Sequence, residues 1–475
     1  MIPTKALRIK NRRYESTFAP SISRIMRKER SGPTSRETRT KDDTPSPLSA
    51  LPTSVLLRSV FINSISSRPL LLAPSLSVLS ALCKPKRSFL LDVDRNKVLH
   101  YILKKTFYKQ FCAGETEAET LSTTRQLRDM GFRGTILTYA KETVFDHRTK
   151  QQHSLGVALP EDGKTTKCAN IEAWHEGTLR TVEILEEGDQ LAVKLTGAGP
   201  LVTEALSAGE LPNQQMMDAL EEICTKCKER GVRILIDAES QHFQWGIMRV
   251  GMHLMRKYNT HGYALIYNTY QAYLKSTPTT LGKHLAMASD EGFTLGLKLV
   301  RGAYLSSEKR SLIHDTKQDT DDAYNSIAQG ALRQEIGEFG TPGKAGRPFP
   351  SVNLVLAGHN KASVLAAHEL HQQRVRAGLP TVPVGFAQLQ GMSDEVSFGL
   401  LQLKRGGSGD AEPHVYKCST WGSMGECLAY LTRRASENRD AASRTMDEYV
   451  ALKAEVGRRL RQALSPSRWF GTRWE

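Results

Sequence analysis

The chain has 475 residues, more than a single core usually holds, with 39% hydrophobic and 24% charged residues and a mean hydropathy of −0.39, which excludes a polytopic membrane protein. The net charge of +15 suggests nucleic acid until it is mapped: residues 1–90 hold 17 Lys and Arg against 5 acidic residues, leaving 48 against 45 for residues 91–475. A nucleic-acid binder keeps its basic stripe on the folded body, so that class is set aside.

Residues 1–90 are rich in Arg and Ser, poor in acids and interrupted by Pro20, Pro33, Pro45, Pro47 and Pro52. They read as a basic presequence or a disordered N-terminal region. The apolar stretch 51–83 is broken by Arg58, Arg68 and Pro69 before it reaches the roughly 20 residues of a membrane span, so no transmembrane helix is expected, while peripheral membrane association stays open. Residues 91–130 read as an N-terminal helical segment, and residues 131–475 as the main domain.

Seven cysteines, an odd number scattered over a long chain, suit a reducing compartment. Cys224 and Cys227 form a C-x-x-C inside a helical stretch, Met216 to Arg230, without a second Cys or His pair at zinc spacing, so no metal site is expected.

From about residue 130 short apolar runs alternate with helical stretches: Gly134–Tyr139, Leu191–Gly197, Val232–Asp237, Ala264–Asn268, Thr294–Val300, Val352–Ala357, Thr381–Phe386 and His414–Cys418. Eight such runs make the repeat count of an α/β fold of the closed (β/α)8 TIM-like barrel type, whose active site sits at the C-terminal strand ends. No G-x-G-x-x-G turn of the open, doubly wound alternative is present.

The run ends carry polar groups in order. Lys194 ends the second run, and Asp237 and Glu239 end the third, two apart and on one side of an extended chain. Gln271 lies among the tyrosines after the fourth; Lys298, Val300, Arg301 and Tyr304 follow along the fifth. The sixth ends at His359 and Asn360, the seventh at Leu389. After the eighth, a helix from Ser423 to about Ser443 carries Tyr430, Arg433, Arg434, Glu437 and Asn438 and is placed over the barrel mouth. Taken singly, each has a plain alternative: a structural ion pair for Lys194 or Asp237, a packing role for His359, a solvated face for the arginine pair. Paired guanidinium groups are suited to holding a carboxylate in one orientation.

In their order these segments resemble the proline dehydrogenase family, in particular the monofunctional mitochondrial enzymes of fungi, over residues 134–445. The resemblance implies oxidation of L-proline to Δ1-pyrroline-5-carboxylate, the first step of proline catabolism, by hydride transfer to N5 of a non-covalently bound FAD. It implies ubiquinone as electron acceptor, and a place on the matrix side of the inner mitochondrial membrane with peripheral association there. Asp237, Gln271, Lys298, Val300, Arg301, His359, Asn360 and Glu437 match family flavin contacts. Lys194, Arg433 and Arg434 match the groups that pair with the substrate carboxylate, and Tyr304, Leu389 and Tyr430 match the wall around its ring. Lys194, Lys298, Arg433 and Arg434 are the residues expected to carry catalysis. One departure stands out: aligned on Gly422, Cys418 replaces a Tyr that lines the family's substrate site. Tyr416 lies two residues earlier and substitutes for it only if the register shifts. Competing readings are a methylenetetrahydrofolate reductase-like flavin barrel, a Schiff-base barrel enzyme using Lys194 or Lys298, and an inactive barrel serving as a binding module.

Overall fold

The computed structural model describes residues 46–83, 88–140, 142–146, 151–155, 167–341, 346–404, 411–440 and 442–464. Eight parallel strands close into a barrel: β1 (Gly134–Tyr139), β4 (Gln190–Val193), β5 (Arg233–Ile236), β6 (Ile266–Gln271), β7 (Leu295–Val300), β8 (Val352–Ala357), β9 (Val384–Leu389) and β10 (His414–Trp421), the last pairing back onto β1. A separate antiparallel hairpin, β2 (Glu142–Asp146) and β3 (Gln151–Leu155), follows β1. The barrel class read from the alternating runs therefore holds.

The strands are apolar on both sides because both sides are covered. Leu191, Ile234, Leu297, Leu354 and Phe386 join the large core shared with the surrounding helices, whereas Ile136, Ala192, Leu235, Tyr267, Val355, Ala387 and Tyr416 form a separate cluster that fills the barrel. Two residues farther along the same faces come Lys194, Asp237, Thr269 and Cys418, beside the apolar Ala357 and Leu389, so four of these six positions turn polar within one step of the pleat. β7 enters the same layer with Lys298, level with Thr269 and Val355.

Several strand limits differ from the apolar runs, each for a local reason. β4 stops at Val193 because Leu195–Ala198 turns into a short 3-10 helix ending on Gly199, whose φ of 96° continues no strand. β9 begins at Val384, after Pro383, and continues to Leu389. β10 extends past Cys418 to Trp421, where Trp421 Nε1 donates to Thr181 Oγ1 at 2.9 Å outside the barrel.

Residues 46–82, grouped with the basic N-terminal region by composition, carry two helices, Thr53–Ser66 and Pro69–Leu82, meeting at 99°. Leu48, Leu51 and Leu56 belong to the main core, and Arg459 Nη2 donates to the Leu51 carbonyl at 2.7 Å. Their buried positions are spaced helically, and of the basic residues that break a membrane span Arg68 is exposed while Arg58 is half-buried and donates to Gln110 Oε1 at 3.1 Å. Among the described residues no single helix is long and apolar enough to cross a membrane.

The helix Met424–Asp440, which carries the arginine pair, rests on a second cluster of buried side chains. Met424, Cys427, Leu428 and Leu431 meet Ile62, Leu79, Leu82, Val93 and Tyr108 there, with Leu389 and Tyr430 at its edge. Its first turn is fixed by Glu115 Oε1, which accepts from Met424 N at 3.0 Å, and by Tyr108, whose hydroxyl donates to Gly422 O at 2.6 Å.

Candidate active site at the barrel mouth

The floor of the mouth is an ion triad. Lys194 Nζ donates to Asp237 Oδ2 at 2.7 Å and Lys298 Nζ to Asp237 Oδ1 at 2.6 Å, with side chains only 8–15% exposed. Burial pushes the Asp237 carboxyl up, but the two ammonium groups outweigh it and hold the carboxyl well below the usual range. Lys194 and Lys298 thus share the Asp237 carboxylate, one on each oxygen. Trp174 Nε1 fixes the Lys194 carbonyl at 3.0 Å.

Glu239 does not join this triad. The strand ends at Ile236, the alternation ends with it, and Glu239, 1% exposed, instead accepts from Thr196 N at 3.2 Å and from the Thr196 hydroxyl. It braces the turn after β4 against the turn after β5, while its carbonyl accepts from Gln271 Nε2 at 3.3 Å. A cleft of about 240 Å³ opens beside Gln271, lined by Gln241, Trp245, Met248, Leu274 and Thr277 among others.

Arg301 is held on three sides. Its Nε donates to Asp321 Oδ1 at 2.6 Å, Nη2 to Ser363 Oγ at 2.9 Å, and the guanidinium lies 4.2 Å from the Tyr324 ring centre. Nη1 is buried without a hydrogen-bond partner, as is the Tyr324 hydroxyl. Both flank Gly358, where a Cβ would come within 3.3 Å of Nη1 and 3.5 Å of the hydroxyl. Bare backbone beside two unsatisfied polar atoms is a place for a ligand with hydrogen-bonding groups of its own. A flavin fits this donor set.

Next along the mouth, His359 Nδ1 lies 3.1 Å from Ser393 Oγ. Asn360 Oδ1 accepts from Ser363 N at 3.1 Å and so caps the helix Lys361–Arg376, a task the strand-end reading did not assign to it. Val300 closes β7 opposite Gln271.

From the helix Met424–Asp440, Arg433 sits 5.6 Å from the Tyr304 ring centre and Arg434 5.0 Å from that of Tyr430. Arg434 and Tyr304 are each 5% exposed. Cys418 ties the two halves together: burial pushes its thiol up, Asp237 adds to this, and Lys298, Lys194 and Arg434 oppose it. Floor and arginine helix thus act on one small side chain. Tyr416 does not take its place, for its register opposite Gly134 and Ala387 keeps it one layer deeper, among the barrel-filling residues near Arg233. The matching segments extend over most of the chain, and residues 120–447 fit the family model described as proline dehydrogenase.

The chain belongs to the proline dehydrogenase family. It is 31% identical over 449 residues to "Probable proline dehydrogenase, mitochondrial" of Schizosaccharomyces pombe, covering 85% of this chain and 88% of that one. It is 34% identical to the mitochondrial proline dehydrogenase 1 of Homo sapiens over 55% of this chain and 42% of that one, and 28% identical to the hydroxyproline dehydrogenase of Bos taurus over 76% and 82%. Among solved structures it is similar to proline utilization A of Bdellovibrio bacteriovorus inactivated by N-propargylglycine, with a TM-score of 0.55 at 16% identity, and to proline utilization A with proline bound in remote sites, at 0.53 and 16%. This chain covers 81% and 86% of its own length in those two matches but spans only 38% and 43% of theirs, and at that identity the likeness concerns the fold. Family membership makes the protein an oxidoreductase of proline catabolism.

Of the residues expected from the strand ends, Lys194, Asp237 and Lys298 meet in one triad, Arg433 meets Tyr304, and Arg434 meets Tyr430. Glu437 lies on the arginine helix, its side chain outside those described. Reasoning from strand ends missed Asp321, Ser363 and Tyr324, which hold Arg301 from helices distant in sequence. Cys224 and Cys227 are buried on the helix Gln214–Glu229, and burial pushes both thiols up.

Proposed function

We propose that this enzyme oxidises L-proline to Δ1-pyrroline-5-carboxylate with FAD bound at the barrel mouth, and passes the electrons to ubiquinone on the matrix side of the inner mitochondrial membrane. The observation that carries this reading is the shared surround of Cys418, where Lys194 and Lys298 from the barrel and Arg434 from the helix act on one buried side chain, with Arg433 next to it on the same helix. Ammonium and guanidinium groups brought to one mostly buried pocket from two sides suit a small carboxylate.

Arg433 and Arg434 are placed to take the proline carboxylate from the helix side and Lys194 from the barrel side, while Tyr304, Leu389 and Tyr430 exclude water around the ring. Asp237 acts by holding both lysines in place. Arg301, Gln271, Lys298, Val300, His359, Asn360 and Glu437 are the residues that would hold FAD, the Gly358 backbone leaving room beside Arg301 Nη1. When bound, FAD supplies the acceptor for two electrons and a hydrogen. On the substrate side the C5–H bond is given up, the ring nitrogen loses its proton and a C=N bond forms.

We further propose that the mitochondrial address lies within residues 1–45, since residues 46–90 supply helices to the folded unit. The test is anaerobic addition of L-proline to the flavin-loaded protein. Loss of the oxidised flavin's visible band is expected; flavin that stays oxidised with proline but bleaches with NADH would place the protein with the folate-reductase type instead.

A further inference from the structure

Residues 88–109 are apolar on two sides: one packs into the second buried cluster, and the other is exposed among the described residues. Inward, Val93, Leu99, Leu103 and Tyr108 pack with the arginine helix. The segment is pinned there by Lys104, whose Nζ pairs with Glu115 at 2.6 Å and Glu119 at 2.7 Å, and Glu115 in turn holds the first turn of that helix.

Outward, Phe89 is 60%, Leu90 72%, Val98 70%, Tyr101 62% and Ile102 53% exposed. Val98, Tyr101, Ile102 and Lys105 recur at i, i+3, i+4 and i+7 along the helical run Lys97–Tyr108, so they share one face. Apolar side chains this exposed, gathered on one segment, mark an interaction surface.

The charge around them says what kind. Arg95, Lys97, Lys105 and Lys109 are exposed, and the Lys105 ammonium lies 5.7 Å from the Tyr101 ring centre. Of the two acids nearby, Asp92 already accepts from the backbone N–H groups of Asp94 and Arg95 at 3.1 and 3.2 Å. An apolar helix face with an amphipathic Tyr and a rim of Lys and Arg is the pattern of a helix lying in the plane of an anionic bilayer. A second copy of the chain on the same face would bring the two cationic rims together. We propose that the face Phe89–Ile102 docks on an anionic lipid surface and seats the arginine helix, and with it the barrel mouth, beside the membrane. The inference rests on the reading of a lipid-dissolved quinone as acceptor for its purpose, but its docking test does not depend on that reading.

The flavin-loaded full chain is mixed with phosphatidylcholine vesicles with and without cardiolipin and separated by flotation. Binding is expected only with cardiolipin and should be reduced by high salt. Leu90→Glu/Val98→Glu/Ile102→Glu should weaken it by at least about tenfold, and Lys97→Glu/Lys105→Glu, which touches only exposed positions, by a comparable factor. Both variants should reduce a water-soluble dye with proline as fast as the parent while losing rate with vesicle-embedded quinone. The proposal is overturned if the parent ignores cardiolipin vesicles, if both variants float like the parent, or if the parent sediments as a dimer that the triple variant splits. Absence of proline–dye activity in the parent would count against the proposed function and leave the flotation result to decide docking.

Discussion

Replacing Asp237 with Asn removes the anion that both lysines share and leaves two ammonium groups, 2.6 and 2.7 Å from its oxygens, facing an amide. Because these side chains are no more than 15% exposed, solvent does little to screen the loss. Removing one partner of a buried pair costs about 3–5 kcal/mol, and since the amide oxygen still accepts one hydrogen bond the lower end is expected, about 3 kcal/mol. That is a large share of a stability that runs to about 5–15 kcal/mol. Urea unfolding at neutral pH measures it directly. The pH dependence gives an independent reading, because a carboxyl held below its ordinary value of 3.8 contributes stability that is present above that value and lost as the pH falls below it. The parent should show this acid loss and the Asn variant should not. A third arm, Lys194→Met/Asp237→Leu/Lys298→Met, removes charge and counter-charge together, and should recover most of the stability while abolishing proline oxidation. An Asn variant within about 1 kcal/mol of the parent, or a triple variant no more stable than Asp237→Asn, would refute the reasoning.

Glu308 gives the opposite pH dependence. It is 5% exposed, and burial pushes its carboxyl up to about 7 in spite of a hydrogen bond from Gln241 N. The folded protein therefore binds more protons than the unfolded chain between the ordinary value of 4.5 and about 7, and stability falls as the pH rises through that window. Glu308→Gln should flatten the fall, by on the order of 2–3 kcal/mol between about pH 5 and about pH 8 in urea midpoints, and an equal slope in both proteins would refute it. Two glycines make a paired test of packing. A Cβ at Gly296 would come 2.0 Å from Ile266 O and 2.8 Å from Tyr267 Cα, both backbone of the neighbouring strand, so Gly296→Ala should cost at least about 3 kcal/mol or yield insoluble protein. Gly282, on the helix Thr277–Glu291, meets nothing within 4 Å, so Gly282→Ala should raise stability by about 0.5–1 kcal/mol, read in the same melts.

The strands were legible because each is a largely apolar run, and the contrast within or just past such a run exposed Lys194, Asp237 and Lys298: a charge directly after a buried run, or inside one as Lys298 is in β7, has to be answered by another charge. What could not be read was the answer itself where it comes from far along the chain. Arg301 is held by Asp321 and Ser363 on two different helices, and nothing in the spacing of 20 and 62 residues announces either. The hairpin Glu142–Asp146 and Gln151–Leu155 escaped notice because its strands are largely polar and show no clean alternation. The helices of residues 53–82 were obscured by composition: their serines and arginines, buried like Ser59 and Ser66 or exposed like Arg68, weigh the same in a count as they do in a transit segment, and only the spacing of Leu56, Ile62, Leu72 and Leu79 distinguishes the two.

That N-terminal pair also changes how the site is put together. One half of the proposed carboxylate clamp, Lys194 with Asp237 and Lys298, is carried by strand ends and the residues just after them, and inherits the rigidity of the barrel. The other half, Arg433 and Arg434, stands on a helix whose buried side packs on Ile62, Leu79 and Leu82 and whose first turn is fixed by Tyr108 and Glu115. A second line of support reaches the β9 loop, where Gln110 Nε2 donates to Gly391 O at 3.0 Å and Gln110 Oε1 accepts from Arg58 at 3.1 Å. The residues that position the arginines and the loop next to Leu389 thus come from segments 53–115, before the first barrel strand begins. A boundary drawn at residue 90 on charge and composition would take Arg58, Ile62, Leu79 and Leu82 away from the helix-borne half while leaving Tyr108, Gln110, Glu115 and the barrel-borne half in place. The proposed address and the folded unit therefore part along the chain not where the basic residues thin out but near Leu48, the first leucine among the described residues to enter the core.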